Sequence, residues 1–516
     1  MQFNHIKVIF NNISNTIAMF ASMAIALIMT PIYIKYLGLN LFGIWHIAIS
    51  IISYISLMDL GMQSAIQKYV AQYHGIENKN KIAEIILSSL IFYGTVSIIG
   101  FAILILITIS GLQYFNIQQE YNSTAKVVIF IMGMSILLTF PGSVFNGVLT
   151  GMQLFYVVNA AIIIINTSTA VAIFCALKSG YGLVTMAIIG LIGNIGLQGI
   201  LFSLAIWKYN VFKDATLKIS ISELKEMMRF GSKTFMIIIA NRIRIGSDAL
   251  IIGYFMTVDW IPYYTAPVNL IYYARNLIQL FTQAFLPVFS NLEAHADDGT
   301  TRKIFIAYSK YTMLFIMPII IFVIFYSKPF LNIWLGNTFA EIGGQLTLML
   351  SVSLVLSASY PLSIMFLIGT ARQNILIYTG YAAAFIFLFI GYIAVKIYGL
   401  LGLATAFLVS EIVPCVFILR RTIAILNIHI KEYWNDSIQY TLINGCLMAL
   451  FIWLLIELYY PNNYLDLAVH CIISLIFYAT TSYFIVLRNE ERVFVYSKIY
   501  LMTDRMCKYI LTNKRI

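Results

Sequence analysis

Residues 85–109 read IILSSLIFYGTVSIIGFAILILITI, a run without a single charge. A helix needs about 20 predominantly apolar residues to cross the hydrocarbon core of a bilayer, and this run meets that length uninterrupted. Worked outward with the same ruler, the sequence predicts spans at 10–33, 43–67, 85–109, 125–149, 155–177, 183–207, 231–256, 263–290, 305–330, 342–368, 375–396, 400–419, 435–459 and 466–487. The expected fold is an all-α integral membrane protein of about fourteen transmembrane helices. Composition agrees. Of 516 residues, 61% are hydrophobic and 10% charged, against about 25% charged in an ordinary soluble domain. So few charges cannot coat a globular surface, and lipid must supply part of the solvent.

The net charge of +11 would suit nucleic-acid binding only if a soluble basic domain carried it, and none is present. The basic residues fall between the apolar runs instead. The gaps 1–9, 68–84, 208–229, 291–304, 369–374, 420–434 and 488–516 hold 22 of the 32 Lys and Arg, while the alternate gaps hold little beyond Lys35 and Lys178. Positive charge marks the cytoplasmic side, so both termini are expected there. The apolar run after Phe10 shows no small-residue cleavage site, so it reads as an uncleaved first helix. The five cysteines show no metal or disulfide spacing, and neither a metal site nor a cofactor is expected.

The chain repeats itself. Phe140-Pro141 opens a stretch ending Leu149-Thr150-Gly151-Met152-Gln153, and Tyr360-Pro361 opens one ending Gly369-Thr370-Ala371-Arg372-Gln373, with proline, threonine and glutamine coinciding at an offset of 220. Tyr181-Gly182-Leu183 and Tyr398-Gly399-Leu400 match at 217. An offset that spans six helices preserves topology, so the repeats are parallel about an axis along the membrane normal. The expected domains are an N-lobe (1–210), a cytoplasmic linker (211–229), a C-lobe (230–420), two further spans (421–487) and a cytoplasmic tail (488–516). Transporters built this way bind substrate between lobes, which points to alternating access.

Ionisable groups inside spans are costly and by default mark a pathway or a pair. Arg242 and Arg244 fall near the middle of span seven, and Arg275 at similar depth in span eight. Arg244 and Asp248 are four apart on one helical face and read as a pair, a neutral strut. Arg242 points about 200° away from Arg244. Arg242 and Arg275 lack an obvious intramembrane acid and read as cavity-facing, where guanidinium would match the oxygens of an anionic, diphosphate-bearing substrate. Asp59, toward the end of span two, and Glu411, in span twelve near Pro414, are the other carboxylates of interest, as ion-coupling or packing groups.

The run Pro31-Ile32-Tyr33-Ile34-Lys35-Tyr36-Leu37-Gly38, then Phe42-Gly43-Ile44-Trp45, Met58-Asp59-Leu60-Gly61-Met62 and Ser247-Asp248-Ala249-Leu250-Ile251-Ile252-Gly253, resembles the polysaccharide and O-antigen flippases of the Wzx type. Their superfamily also holds multidrug and toxin extruders and the lipid II flippase. The resemblance implies a V-shaped pair of lobes that carries an undecaprenyl-diphosphate-linked oligosaccharide from the inner to the outer leaflet of a bacterial inner membrane. It implies a cationic cavity for the diphosphate, which Arg242, Arg244 and Arg275 would supply. Further partners on this reading are membrane lipid, a glycan polymerase with chain-length proteins, and a proton or sodium ion at Asp248, Glu411 or Asp59. The sequence departs from many superfamily members in carrying arginines in span seven. Two other readings stand beside it. An organic-cation exporter would need cavity acids where this chain has arginines. A glycan polymerase or acyltransferase would need catalytic groups on a substantial loop, yet the outward gap near 110–124 holds Glu120 as its one acid and no Asp, His or Arg. No enzymatic activity is expected.

Overall fold

The computed structural model describes residues 5–208, 210, 218–295 and 298–493. Part of the expected linker (211–217) and most of the expected tail (494–516) lie outside the described residues. The described residues are helical, with one isolated bridge between Asn116 and Thr257 and no strand. In chain order the helices are α1 (His5–Ile55), α2 (Met62–Gly75), α3 (Lys79–Leu106), α4 (Gln119–Gly151), α5 (Phe155–Lys178), α6 (Leu183–Ser203), α7 (Ile221–Gly246), α8 (Asp248–Phe255) and α9 (Trp260–Gln283). They continue with α10 (Leu286–Ala294), α11 (Asp298–Leu335), α12 (Asn337–Ala358), α13 (Pro361–Gly369), α14 (Asn374–Ile425), α15 (Ile430–Tyr433), α16 (Tyr440–Leu458) and α17 (Tyr464–Ile485).

Among the described residues, ten helical stretches are long and apolar enough to cross a membrane. Two of them exceed one crossing. At 1.5 Å per residue a helix the length of α1 or α14 would extend about 75 Å, against a hydrocarbon core of about 30 Å. Each breaks near its middle, α1 at Gly38 (φ 76°) and α14 at Gly399 (φ 58°), where a side chain would be strained.

Several boundaries differ from the hydropathy reading, each for a local reason. Span two ends in a 3₁₀ turn at Ser56–Asp59, and Leu60 and Gly61 then take left-handed backbone before α2 departs separately. The helix of span seven begins inside the expected linker, because Ser220 caps it by accepting the Glu223 amide at 3.3 Å. Spans eight and ten are interrupted after Gln283 and Ala358, the latter just before Pro361, whose ring suits the first position of a new helix.

The helices that hold the two matched stretches end in turns of one kind, at an offset of 218 rather than the 220 of the matched residues. After α4 the Leu154 amide bonds the Leu149 carbonyl at 3.0 Å around Gln153 (φ 61°), and after α13 the Arg372 amide bonds the Leu367 carbonyl at 2.8 Å around Ala371 (φ 56°). Both are helix-terminating motifs of one kind, with a left-handed residue just past the helix.

Packing divides the chain into two compact units, Met1–Tyr273 with Asn374–Pro414, and Ala274–Gln373 with Cys415–Ile516. This division cuts across the expected lobes, since the first unit takes up α7, α8 and much of α14. Within it α4 approaches α2 closely, and side chains added at Gly147 and Gly151 would collide with Ile66 and Val70. Small residues four apart are how membrane helices gain contact without a hydrophobic driving force. One end of this unit joins the 68–84 and 218–231 segments. The Lys81 ammonium bonds Glu223 at 2.8 Å and Glu84 at 2.9 Å, and Gly61 lies directly on the Gly231 carbonyl. The other end joins the breaks after Gly38, Leu106 and Phe255. There Gly43 abuts the Val258 carbonyl, and Asn116 donates its backbone amide to Gly253 at 2.9 Å and its side-chain amide to Tyr254 and Met256 at 3.1 Å.

The second unit is built on α11, α16 and α17, around Met313, Met317, Ile321, Tyr326, Met448, Ile452, Leu467 and Tyr478. Asn444 crosses this core to donate to Ser482 Oγ at 2.7 Å.

Candidate functional site

The charged helix α7 decides the chemistry of the first unit. It ends at Gly246, and Ser247 just past its end donates through Oγ to the Ile243 carbonyl at 2.5 Å and meets the Tyr54 hydroxyl of α1. A new helix, α8, starts at Asp248 and so carries its acid in the first turn, where the helix dipole favours a carboxylate.

That break separates the two residues the sequence paired. Arg244 is buried, and its guanidinium bonds not Asp248 but Glu411 of α14, with the Phe407 ring 5.4 Å from the guanidinium carbon. The Glu411 side chain is fully buried. Two opposite charges removed from water must find each other, and the partner lies 167 residues along the chain. Arg244–Glu411 ties α7 to α14.

Arg242 stands on another face. It is exposed, and its guanidinium has no hydrogen-bond or ion-pair partner among the described residues. Its stem passes Gly246, where an added side chain would meet Arg242 Cδ at 3.2 Å. Arg275 lies in α9, half-buried, within the second unit.

Asp248 is buried among hydroxyls. One carboxylate oxygen accepts from Tyr272 at a long 3.4 Å, and the other has no hydrogen-bond partner among the described residues. Tyr264, also fully buried in α9, has a hydroxyl without a hydrogen-bond partner among the described residues. Tyr54, Tyr264 and Tyr272 were not singled out by the sequence reading, and Ser247 entered it only as part of a motif. The signal available was the tyrosine-rich stretch Tyr263-Tyr264 to Tyr272-Tyr273, which hydropathy counts as apolar. Asp59 is placed apart from this group. It accepts from the Tyr93 hydroxyl, with the Gly61 and Gln63 amides alongside, and so holds the turn into α2. Among the described residues no three His, Cys, Asp or Glu gather as metal ligands would.

Comparison with known proteins gives this geometry its context. The chain is 22% identical over 386 residues to a Shigella flexneri protein named, provisionally, as an O-antigen transporter, covering 74% of this chain and 90% of that one. Its fold is that of the lipid II flippase MurJ in an inward-closed conformation, with a TM-score of 0.70 at 18% identity over 92% of this chain and 98% of the other. It is similar also to an inward-facing multidrug-resistance MATE transporter of the MOP superfamily, with a TM-score of 0.66 at 14% identity over 80% and 94% of the two chains. The family described as polysaccharide biosynthesis protein matches residues 35–343, a stretch that includes α7, α8 and α9. With most of its length matched by that family and a helical fold shared with those carriers, the chain is a multi-pass membrane protein belonging to the polysaccharide biosynthesis protein family.

Proposed function

We propose that the protein is a flippase that moves an undecaprenyl-diphosphate-linked oligosaccharide from the inner to the outer leaflet of the cytoplasmic membrane by alternating access. The observation that carries this reading is Arg242, an exposed guanidinium without a partner among the described residues, on a helix of a membrane carrier fold. A charge held in a membrane protein without a counterion is expensive unless something else supplies the anion. A diphosphate does so, and the planar fork of arginine matches its oxygens in pairs. Arg275 is proposed as the second cation. Arg244 acts through its bond to Glu411, bracing the helix that presents Arg242.

The proposed topology has fourteen passes, with α1 and α14 each counted twice and both termini cytoplasmic, arranged as two six-span lobes with two appended spans. Asp248 is the proposed ion-coupling carboxylate, since one of its oxygens is free to receive a proton or a sodium ion. An organic-cation exporter is less well served by a site whose exposed charge is a guanidinium.

The test is genetic and chemical together. Deleting the gene should leave complete lipid-linked repeat units on the cytoplasmic leaflet, and restoring it should clear them. Arg242→Ala should fail to restore surface glycan by at least tenfold with normal membrane abundance, and Arg242→Lys should restore it in part. Complete but unpolymerised units on the outer leaflet of the deletion strain would make the protein a polymerase or its partner instead.

A further inference from the structure

At one end of the second unit, α11, α16 and the end of α17 enclose a cavity of about 340 Å³. That volume lies within the ~300–1,000 Å³ range of small-ligand sites. Its walls carry Lys310, Asn435, Asp436, Tyr440, Thr441 and Arg488. The chain opens this space with a π-helical segment, Trp434–Gln439, which widens the start of α16. Such segments cluster at functional positions because they turn side chains out of the normal register.

Both signs of charge are built in. Lys310 has a side chain only 7% exposed and donates to Glu491 at 2.6 Å. Arg488, at 67% exposure, donates to Asp436 at 2.6 Å. Each cation already has a carboxylate, so a bare anion would gain little here. A ligand bearing one phosphate and one ammonium can satisfy both halves at once, with phosphate toward Lys310 and Arg488 and ammonium toward Asp436.

The surroundings indicate where such a ligand comes from. Tyr440 of the lining and Trp434, next in sequence to Asn435 of the lining, are half-exposed, as side chains of the headgroup layer are. From Tyr440 an exposed apolar row continues along α16 through Ile443, Leu447, Leu450 and Leu454, at spacings of three and four. A headgroup in the cavity would leave its acyl chain on that row.

We infer that this cavity binds the phosphoethanolamine headgroup of a membrane phospholipid, holding one lipid against the last two spans. The site is independent of the arginines of α7 and of the transport reading.

Native mass spectrometry of the full chain purified in mild detergent tests it. The expected result is one phosphatidylethanolamine per protein surviving delipidation, in preference to phosphatidylglycerol. Occupancy should drop at least fivefold in an Arg488→Gln/Asp436→Asn double variant, which removes an exposed pair together and orphans neither charge. Delipidated wild type should gain several degrees in Tm from phosphatidylethanolamine vesicles, a comparison that stands even if the variant accumulates poorly. Equal retention of both lipids, or no lipid-dependent gain, would overturn the proposal. Stabilisation by millimolar free phosphoethanolamine or inorganic phosphate alone, to the same extent as by vesicles, would assign the cavity to a soluble phosphate compound and overturn the lipid assignment.

Discussion

At the scale of single residues, the strongest commitment is the Arg244–Glu411 bond. Removing one member of a buried ion pair is typically destabilising by about 3–5 kcal/mol, whereas replacing both with apolar residues is often neutral. Glu411→Gln and Arg244→Met should each lower Tm and membrane abundance, and Arg244→Met/Glu411→Leu should recover most of both. Failure of the double variant to recover would mean the charges do more than brace. The pair also marks the limit of what the sequence discloses. Spacing put Arg244 and Asp248 on one helical face, and that inference holds only while the helix continues. It stops at Gly246, where Ser247 meets the hydroxyl of Tyr54, 193 residues away. Glu411 was noticed for its depth, but nothing in its neighbourhood in sequence says which cation it meets. A second residue-scale expectation lies outside the spans. Burial pushes the Glu491 carboxyl up, but bonds from Lys310, the Arg488 amide and Tyr311 outweigh it and hold its pKa below the ordinary carboxylate value. A carboxylate with a depressed folded pKa stabilises fully above its unfolded pKa, about 4.3 for Glu, and loses that stabilisation as pH falls through the folded value. The Tm gap between wild type and Glu491→Gln should therefore be constant near neutrality and close on acidification below that value.

At the scale of elements, two glycines with the same handedness separate backbone strain from contact. Gly61 and Gly180 both have positive φ, at 75° and 86°. A methyl group at Gly180 meets open space, while one at Gly61 runs into the Gly231 carbonyl. Left-handed backbone costs an L-residue about 1–2 kcal/mol. Gly180→Ala should show that loss alone in a thermal melt and still restore surface glycan. Gly61→Ala should lose more in Tm and restore less glycan, because α2 and α7 must also part; equal behaviour would deny that contact any role. The long apolar spans were legible because a bilayer demands them and little else satisfies the demand. The start of α7 was less so, since its Ser220–Glu223 cap sits in a polar stretch that hydropathy assigns to a loop, although the cap itself is a readable pattern.

At the scale of the whole molecule, the charge asymmetry fixes an expected orientation that chemistry can check. In a background with the five native cysteines replaced, a membrane-impermeant maleimide should label Gln118→Cys and Tyr181→Cys in intact cells. Glu77→Cys and Asn427→Cys should react only after permeabilisation. All four positions are exposed. The reverse pattern would invert the proposed topology and with it the direction of transport. The six-helix periodicity was expected from a handful of coinciding residues, and the turns after α4 and α13 are of one kind, displaced by two residues from that register. The packing units were not legible, because which helices lie against α7 is settled by glycine contacts and buried pairs distant in sequence.

The separation of Arg244 from Glu411 also sets a clock on biogenesis. Ribosomes add about 5–20 residues per second, so the 167 residues between them take roughly 8–30 seconds to appear. Throughout that interval α7 has been made, while the carboxylate that Glu411 brings to Arg244 has not. The bond that ties α7 to α14 is therefore among the late ones to form, after α7 has already been inserted. A chain that stops short of Glu411 should be recognised as unfinished by membrane quality control, however many of its apolar spans are in place.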